Sequence, residues 1–480
     1  MPVPPASPPL PRWARIADIL CVLLVVLAAV VALSGGFRIH PLGVRIALTS
    51  PGRLLLWATA IALLRHVLAP QAPIYHGTPT AILAAWRTAT VREAVIALVG
   101  TRAAVLFVGY MAVFLFGYAN ERAPFRVSPN EFMNLQARWD AGWYLGIASN
   151  GYRFNPVGGD ERQRNIVFFP ALPLLMRIAG RVFGGTAPGF LLGGTLVVLL
   201  ALGVAFVYLF RLARSMLGDE DQAKYAVWLL ATYPFAVFFS AVYTESIFLV
   251  GALGAFYHFR RGEFGYAAAW GLLVGLTRPN GCFLSIPLAL LAVTPWLPAW
   301  LAGDATRPAE GRAPRLIPAL AAAAMPGVGV LLYSAFIWSL TGNPLEWAAG
   351  HVAWGRSYQG LSILVTERYE YLSDEGLYAY TSRLTTDLLQ ALGPIFVLAA
   401  TWGVARCLGV AYAAFVLVNI LPPLAAGGLL SAGRFSAVLF PAFIWFASVV
   451  PARHRSAWIV AFMAVQAFNA ALFYTWRQMY

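Results

Sequence analysis

Apolar runs close to 20 residues long recur along the whole chain, separated by short polar segments. We place them at 16–34, 54–69, 95–118, 189–211, 223–242, 246–259, 265–277, 281–297, 317–340, 387–403, 408–424, 435–450 and 457–474. A helix of about 20 residues crosses roughly 30 Å of hydrocarbon. The runs lack the two-residue alternation of a barrel strand. The pattern therefore predicts an all-α polytopic membrane protein of about 13 transmembrane helices. Two polar stretches are much longer than the rest, 119–188 and 341–386. Within the first, 167–185 opens with Phe168-Phe169-Pro170 and places Arg177 and Arg181 at i,i+4 on one helical face. Two arginines and two prolines suit a helix lying on the membrane surface better than one crossing it.

Short basic loops orient the spans, because Lys and Arg accumulate on the cytoplasmic side. With the N-terminus inside, the inner segments are 1–15, 70–94, 212–222, 260–264, 298–316, the turn at Arg406, and Pro451–Ser456. The two long loops then fall outside. Arg38, Arg45 and Arg53 in 35–53 run against this arrangement. Arg260-Arg261 and the loop with Arg307, Arg312 and Arg315 both read as cytoplasmic, so an even number of crossings must separate them. The stretch 265–297 is thus expected as two short helices with Thr277-Arg278-Pro279-Asn280-Gly281 turning at the outer surface, where Pro and Asn-Gly favour a break. Arg12 and Arg15 before Ile16–Leu33 predict an uncleaved first helix rather than a signal peptide, since the run is long for one. We divide the chain into 1–94 (two additional N-terminal helices behind a Pro-rich start), 95–300 (a core with the first external loop) and 301–480 (C-terminal helices with the second).

Composition agrees: 60% of the 480 residues are hydrophobic and 11% are charged, against roughly 25% charged in soluble domains. The net charge of +14 is nearly all arginine, with Lys224 the single lysine. Together with abundant Ala, Gly and Pro, this bias matches GC-rich bacterial genomes. The arginines are spread over inter-helix loops and form no basic patch, so nucleic acid is not an expected partner and the bilayer is. Cys21, Cys282 and Cys407 are isolated in apolar surroundings and read as packing residues. His66, His258 and His351 are scattered. The sequence offers no metal cluster and no Gly-rich phosphate loop, and we expect neither metal nor cofactor.

Chemistry concentrates in Arg138-Trp139-Asp140-Ala141-Gly142-Trp143-Tyr144 of the first external loop. Asp140 is a candidate general base for an acceptor hydroxyl; the competing role is that of an ordinary loop or helix-capping aspartate. Arg138, Trp139, Trp143 and Tyr144 are candidate substrate contacts. Trp139, Trp143 and Ile147 would share a helical face, equally consistent with an interfacial anchor. Arg278, Arg434, Arg177 and Arg181 fall near outer ends of spans. There they can bind a phosphate and stabilise its departure, or snorkel to lipid headgroups. Glu245, in a tight turn, can position an acceptor or pair with an arginine; the alternative is a capping residue.

Arg138-Trp139-Asp140, Gly151-Tyr152, Phe168-Phe169-Pro170-Ala171-Leu172-Pro173, Tyr243-Thr244-Glu245-Ser246, Thr277-Arg278-Pro279 and Arg434-Phe435, in this order over about 95–450, resemble the PIG-V family, the GPI mannosyltransferase 2 enzymes and their bacterial relatives. The resemblance implies the GT-C fold of integral-membrane glycosyltransferases, polyprenyl-phosphate sugars as donors, and a catalytic acid in the first external loop of the core, the position Asp140 occupies. It implies transfer of a sugar, mannose above all, to a lipid-linked or envelope glycan on the outer face of the plasma membrane. Protein O-mannosylation or another GT-C sugar transfer is the nearest alternative. A lipid-linked-sugar flippase would instead place charges at the bilayer midplane and show internal repeats.

Overall fold

A computed structural model describes residues 11–34, 37–39, 46–48, 50–69, 73, 88–119, 125–154, 163–294, 315–477 and 479, and they are helical almost throughout. Helices α1 (Arg12–Ser34), α2 (Pro51–Leu68) and α3 (Ala89–Phe116) come first. The first long loop holds α4 (Ala141–Asn150) and α5 (Ala171–Val182). Then follow α6 (Ala187–Leu217), α7 (Glu220–Thr232), α8 (Glu245–Arg260), α9 (Phe264–Gly275), α10 (Ser285–Val293) and α11 (Leu316–Thr341). The second long loop carries α12 (Ile363–Arg383), and α13 (Thr385–Leu408), α14 (Val410–Gly427), α15 (Ala432–Ala437), α16 (Phe440–Val449) and α17 (Arg455–Tyr474) complete the order.

Helix falls on every predicted span. Among the described residues, six helices are long and apolar enough to cross a membrane by themselves: α3, α6, α11, α13, α14 and the segment Ala452–Tyr474 that contains α17. The chain is thus an all-α membrane protein, with one exception. Phe37–Ile39 pairs antiparallel with Ile46–Leu48, Phe37 opposite Leu48, inside a stretch read as a plain loop. Three residues per strand are too few for a periodic signal. Segments 1–10, 70–72, 74–87 and 295–314, with Arg307 and Arg312, lie outside the described residues, as does Arg45.

Two interruptions of the helices build the site. The span expected over 223–242 stops at Thr232, because Pro234 cannot continue a helix. A 3₁₀ turn, Ala236–Phe239, leads to α8. Carbonyls freed inside a membrane protein need internal donors, and three buried side chains supply them. Arg102 of α3 donates to the carbonyls of Ala231 (2.6 Å) and Ala236 (2.5 Å). Gln466 of α17 donates to Ala231 (3.1 Å) and Tyr233 (2.9 Å), and Asn469 to Pro234 (2.9 Å). The α8 helix that follows is buried on all sides over Glu245–Phe256, as its all-round apolar sequence requires.

The second interruption separates α9 from α10 at the expected Thr277–Gly281 turn, but not at the expected depth. A 12-residue α9 reaches only about 18 Å, whereas the 26-residue α11 extends about 39 Å. The end of α9 packs against the middle of α11: a Cβ on Gly275 would sit 2.0 Å from the Pro326 carbonyl oxygen and 3.0 Å from the Gly329 Cα. The Ser285 hydroxyl, at the start of α10, accepts the Gly327 N–H of the same stretch at 3.3 Å. The turn is therefore sunk beside α11 instead of lying at its outer end. The two long loops are joined by an Arg164–Glu346 ion pair of 2.8 Å. Within the predicted surface segment a helix forms, α5; its Leu172 and Met176 are buried, while Leu174 and Ile178 are exposed. At the N-terminus α1 and α2 pack on each other around a buried Asp18–Arg65 ion pair of 2.7 Å.

Candidate active site

Asp140 sits at the threshold of α4. Trp139 before it has φ +50°, a left-handed conformation that a bulky residue rarely adopts. This kink ends the preceding segment and turns residue 140 away from residue 138. Although Asp140 occupies the N-cap position, its side chain makes no capping bond. Its backbone N–H donates to the Tyr243 hydroxyl at 3.0 Å, and its Oδ2 accepts from Arg434 at 2.8 Å across 294 residues of sequence. The capping role is thereby set aside. Asp140 keeps 24% of its side chain exposed, and Oδ1 has no hydrogen-bond partner among the described residues.

Glu245, the first residue of α8, is completely buried behind this pair. Its Oε1 lies 3.0 Å from Arg434 Nε and 3.0 Å from Arg278 Nη2. Arg278 also donates to the Thr244 hydroxyl at 3.0 Å, and its guanidinium lies over the Phe248 ring, 4.8 Å from the centroid. Its Nε and Nη1 are buried without a hydrogen-bond partner among the described residues. Asp140, Arg434, Glu245 and Arg278 therefore form one continuous chain of alternating charge. Neither arginine snorkels, and Glu245 is no cap.

The chain lines one wall of a cavity of about 740 Å³. Aromatic rings form most of the rest. Trp143 stacks on Phe168 (5.7 Å) and meets Trp354 edge-on (5.3 Å), and Trp139 lies 4.8 Å from Trp476. Tyr144 packs edge-on against Phe168 and Tyr243. The tryptophans are wall residues rather than lipid anchors, and the left-handed Trp139 is outside the helical face it was expected to share. Every non-glycine residue with positive φ among the described residues, Trp139, Ser431 and Trp476, lines this cavity. Such strain gathers where a site requires it.

The remaining motifs support the walls. Tyr152 donates to the Phe168 carbonyl at 2.8 Å, and Tyr333 donates to that of Ile166 at 2.7 Å. Asn165 donates to the Gly151 carbonyl at 3.3 Å, where Gly151 closes α4 at φ +81°. The Gly151-Tyr152 and Phe168-Phe169-Pro170 pieces thus hold each other.

Three expected site residues are elsewhere. Arg138 is fully buried and points into the protein, donating to the carbonyls of Tyr474 (2.9 Å) and Asn134 (2.6 Å) and pairing with Glu131 (3.4 Å). It anchors the loop and does not reach the cavity, because the turn at Trp139 sends neighbouring side chains opposite ways. Arg177 donates to the carbonyls of Ala148 (2.8 Å) and Ser149 (3.2 Å) at the end of α4. Arg181, one turn on, is exposed. Neither lines the cavity.

Among the cavity residues that escaped the sequence reading are the titratable His351 and Arg356 of the second loop. His351 Nδ1 lies 2.7 Å from the Trp347 carbonyl oxygen; burial, with Arg356 nearby, pushes its pKa below the ordinary value. Arg356 is pushed down to about 10 by burial and by the charge of Arg434. The available signal was the grouping of His351, Trp354 and Arg356 in six residues beside an otherwise acidic stretch. Cys282 borders the cavity and Cys21 is buried. No group of three His, Cys, Asp or Glu side chains among the described residues could hold a metal ion.

The segment that supplies Asp140, Glu245 and Arg278 is also the segment that matches a known protein family. Residues 122–290 match the mannosyltransferase (PIG-V) family. The match covers about a third of the chain and stops short of Arg356 and Arg434, within a resemblance expected over 95–450. It supports a membrane glycosyltransferase. No curated protein matches the chain. Among solved structures, the Archaeoglobus fulgidus oligosaccharyltransferase, in a crystal structure with zinc and sulfate, is similar at 14% identity over 78% of this chain and 53% of that one, with a TM-score of 0.36. The chain spans about half the length of that protein.

Proposed function

We propose that this protein transfers a sugar, mannose in the first instance, from a polyprenyl-phosphate donor to a lipid-linked or envelope glycan acceptor, at a site facing outward from the plasma membrane. The observation that carries the reading is the alternating chain Asp140–Arg434–Glu245–Arg278 along one wall of an aromatic-lined cavity. Aromatic faces suit a sugar ring, and guanidinium groups suit the phosphate that leaves it. In the reaction the acceptor hydroxyl oxygen attacks the anomeric carbon. The bond from that carbon to the phosphate oxygen breaks, and the phosphate keeps the electron pair. Asp140, with Oδ1 unengaged, takes the hydroxyl proton. Arg434 and Arg278 face the charge that grows on the phosphate, and Glu245 holds both in place before it forms, the preorganised arrangement that stabilises a departing anion.

Asp140→Asn tests the base. The amide keeps the size of the carboxylate and can still accept from Arg434, but it cannot take the proton. Transfer from a polyprenyl-phosphate mannose should fall by about 10²–10⁴-fold in protein that purifies and unfolds like the wild type. Wild-type turnover in that variant would remove Asp140 from the chemistry.

A further inference from the structure

Arg356 is the one cavity arginine that meets no carboxylate among the described residues. Arg278 and Arg434 share Glu245, and Arg434 also holds Asp140. Arg356 is held by neutral groups alone. Its Nη2 donates to the Leu430 carbonyl at 3.1 Å, and its guanidinium lies over the Phe435 ring, 5.0 Å from the centroid. Gly427 leaves it room: a Cβ there would stand 3.0 Å from Arg356 Nη1. The side chain is thus positioned at the cavity, beside a second guanidinium, with no carboxylate in contact among the described residues and Asp140 acting on it only at longer range.

The charges at the site can be counted. Arg278, Arg356 and Arg434 line the cavity, Asp140 lines it, and Glu245 stands directly behind. Three guanidiniums face two carboxylates, which leaves one positive charge in excess among the described residues. His351 adds none near neutral pH, because burial keeps it in its uncharged form. Buried charge without a partner is costly, so a site of this kind favours an anion that restores neutrality. A sugar–phosphate–lipid diester carries one negative charge.

We infer that Arg356 is the residue that anchors the donor phosphate. The inference rests on the lipid-phosphate donor proposed above. It assigns Arg278 and Arg434 to the charge that develops during transfer and Arg356 to the charge already present on binding. Removing Arg356 should then weaken donor binding and raise the donor KM more than it lowers kcat.

The experiment measures binding by calorimetry to the full chain in phosphatidylcholine nanodiscs. The probes are a short-chain isoprenyl mannosyl phosphate and phosphatidylglycerol added to the disc as a competing diester. Wild type should bind the mannosyl phosphate, and phosphatidylglycerol should not displace it. Arg356→Ala should weaken that binding by about tenfold or more, as expected for loss of a charge-assisted contact. Arg181→Ala, on the exposed face of α5, should leave it unchanged. Arg356→Gln, which keeps a donor and part of the stem, serves if the alanine variant does not fold. Undiminished mannosyl phosphate binding in the folded Arg356 variant overturns its role and leaves the donor reading standing. Displacement by phosphatidylglycerol makes the site a headgroup site. Absence of mannosyl phosphate binding by wild type removes the lipid-phosphate donor itself.

Discussion

Glu245 and Asp140 are both acids within reach of Arg434, yet their surroundings give them different work. Glu245 is buried without any exposed surface, and its charge is held by two guanidiniums and by the N-terminal end of α8, where the helix dipole favours an anion. Asp140 keeps part of its side chain toward the cavity. A buried acid with two cationic partners is a counter-ion, whereas a partly open one can exchange a proton. Glu245→Gln should accordingly act on stability first. It leaves Arg278 with no acid partner and crowds it against Arg434, and breaking a buried pair costs about 3–5 kcal/mol. We expect a clear drop in the unfolding midpoint of the purified protein, with loss of transfer following from displaced arginines. A midpoint equal to wild type would mean that Glu245 is not what holds the two guanidiniums.

At the scale of elements, the site exists because two membrane helices are broken and the breaks are made tolerable. The α7–α8 break presents Tyr243, Thr244 and Glu245, and its carbonyls are met by Arg102, Gln466 and Asn469. The α9–α10 break presents Arg278 beside the middle of α11. Close backbone approach at Gly275 sets that depth, since small residues let helices in a membrane come together. Gly275→Ala would place a methyl carbon against the Pro326 carbonyl oxygen, and backbone has little room to yield. Overpacking of this kind costs about 1–3 kcal/mol. Pushing α9 outward also carries Arg278 away from Glu245, so stability and transfer should fall together. Unchanged values of both would show that α9 does not rest on α11 as described.

For the molecule as a whole, α8 fixes which groups share a side. It begins at the cavity with Glu245 and, 16 residues long, ends about 24 Å away, next to Arg261. Cavity and Arg261 therefore face opposite ends of the bundle. With the cavity outside, a cysteine at Tyr358, an exposed residue of the second loop, should label in intact cells, and one at Arg261 only after the membrane is opened. The natural Cys21, Cys282 and Cys407 would first be replaced. The reverse labelling pattern would turn the protein over and place the site in the cytoplasm. The same whole-molecule view shows the cavity drawing Asp140, Glu245 and Arg278 from the 95–300 segment and Arg356 and Arg434 from 301–480. Chemistry on this site needs both halves assembled.

Hydrophobic run length is a local property, so the helices and the Thr277–Gly281 break could be read along the chain. Glu245, Arg278 and Arg434 could be singled out for a similar reason, since a charge at the end of an apolar run stands out wherever it lies, and Asp140 by the aromatic residues around it in the first long loop. Partnership is not local. That Arg434 joins Asp140, that Arg138 turns inward while its neighbour but one faces the cavity, and that Arg177 serves the end of α4 were decided by packing between segments from 28 to 336 residues apart. Arg356 became visible only when every other cavity arginine had been matched to a carboxylate. The sequence alone determined a membrane-embedded helical protein and marked the acids and arginines that stand out in it. Tertiary structure decided which of them meet, because an ion pair depends on distance in space, and distance along the chain does not encode it.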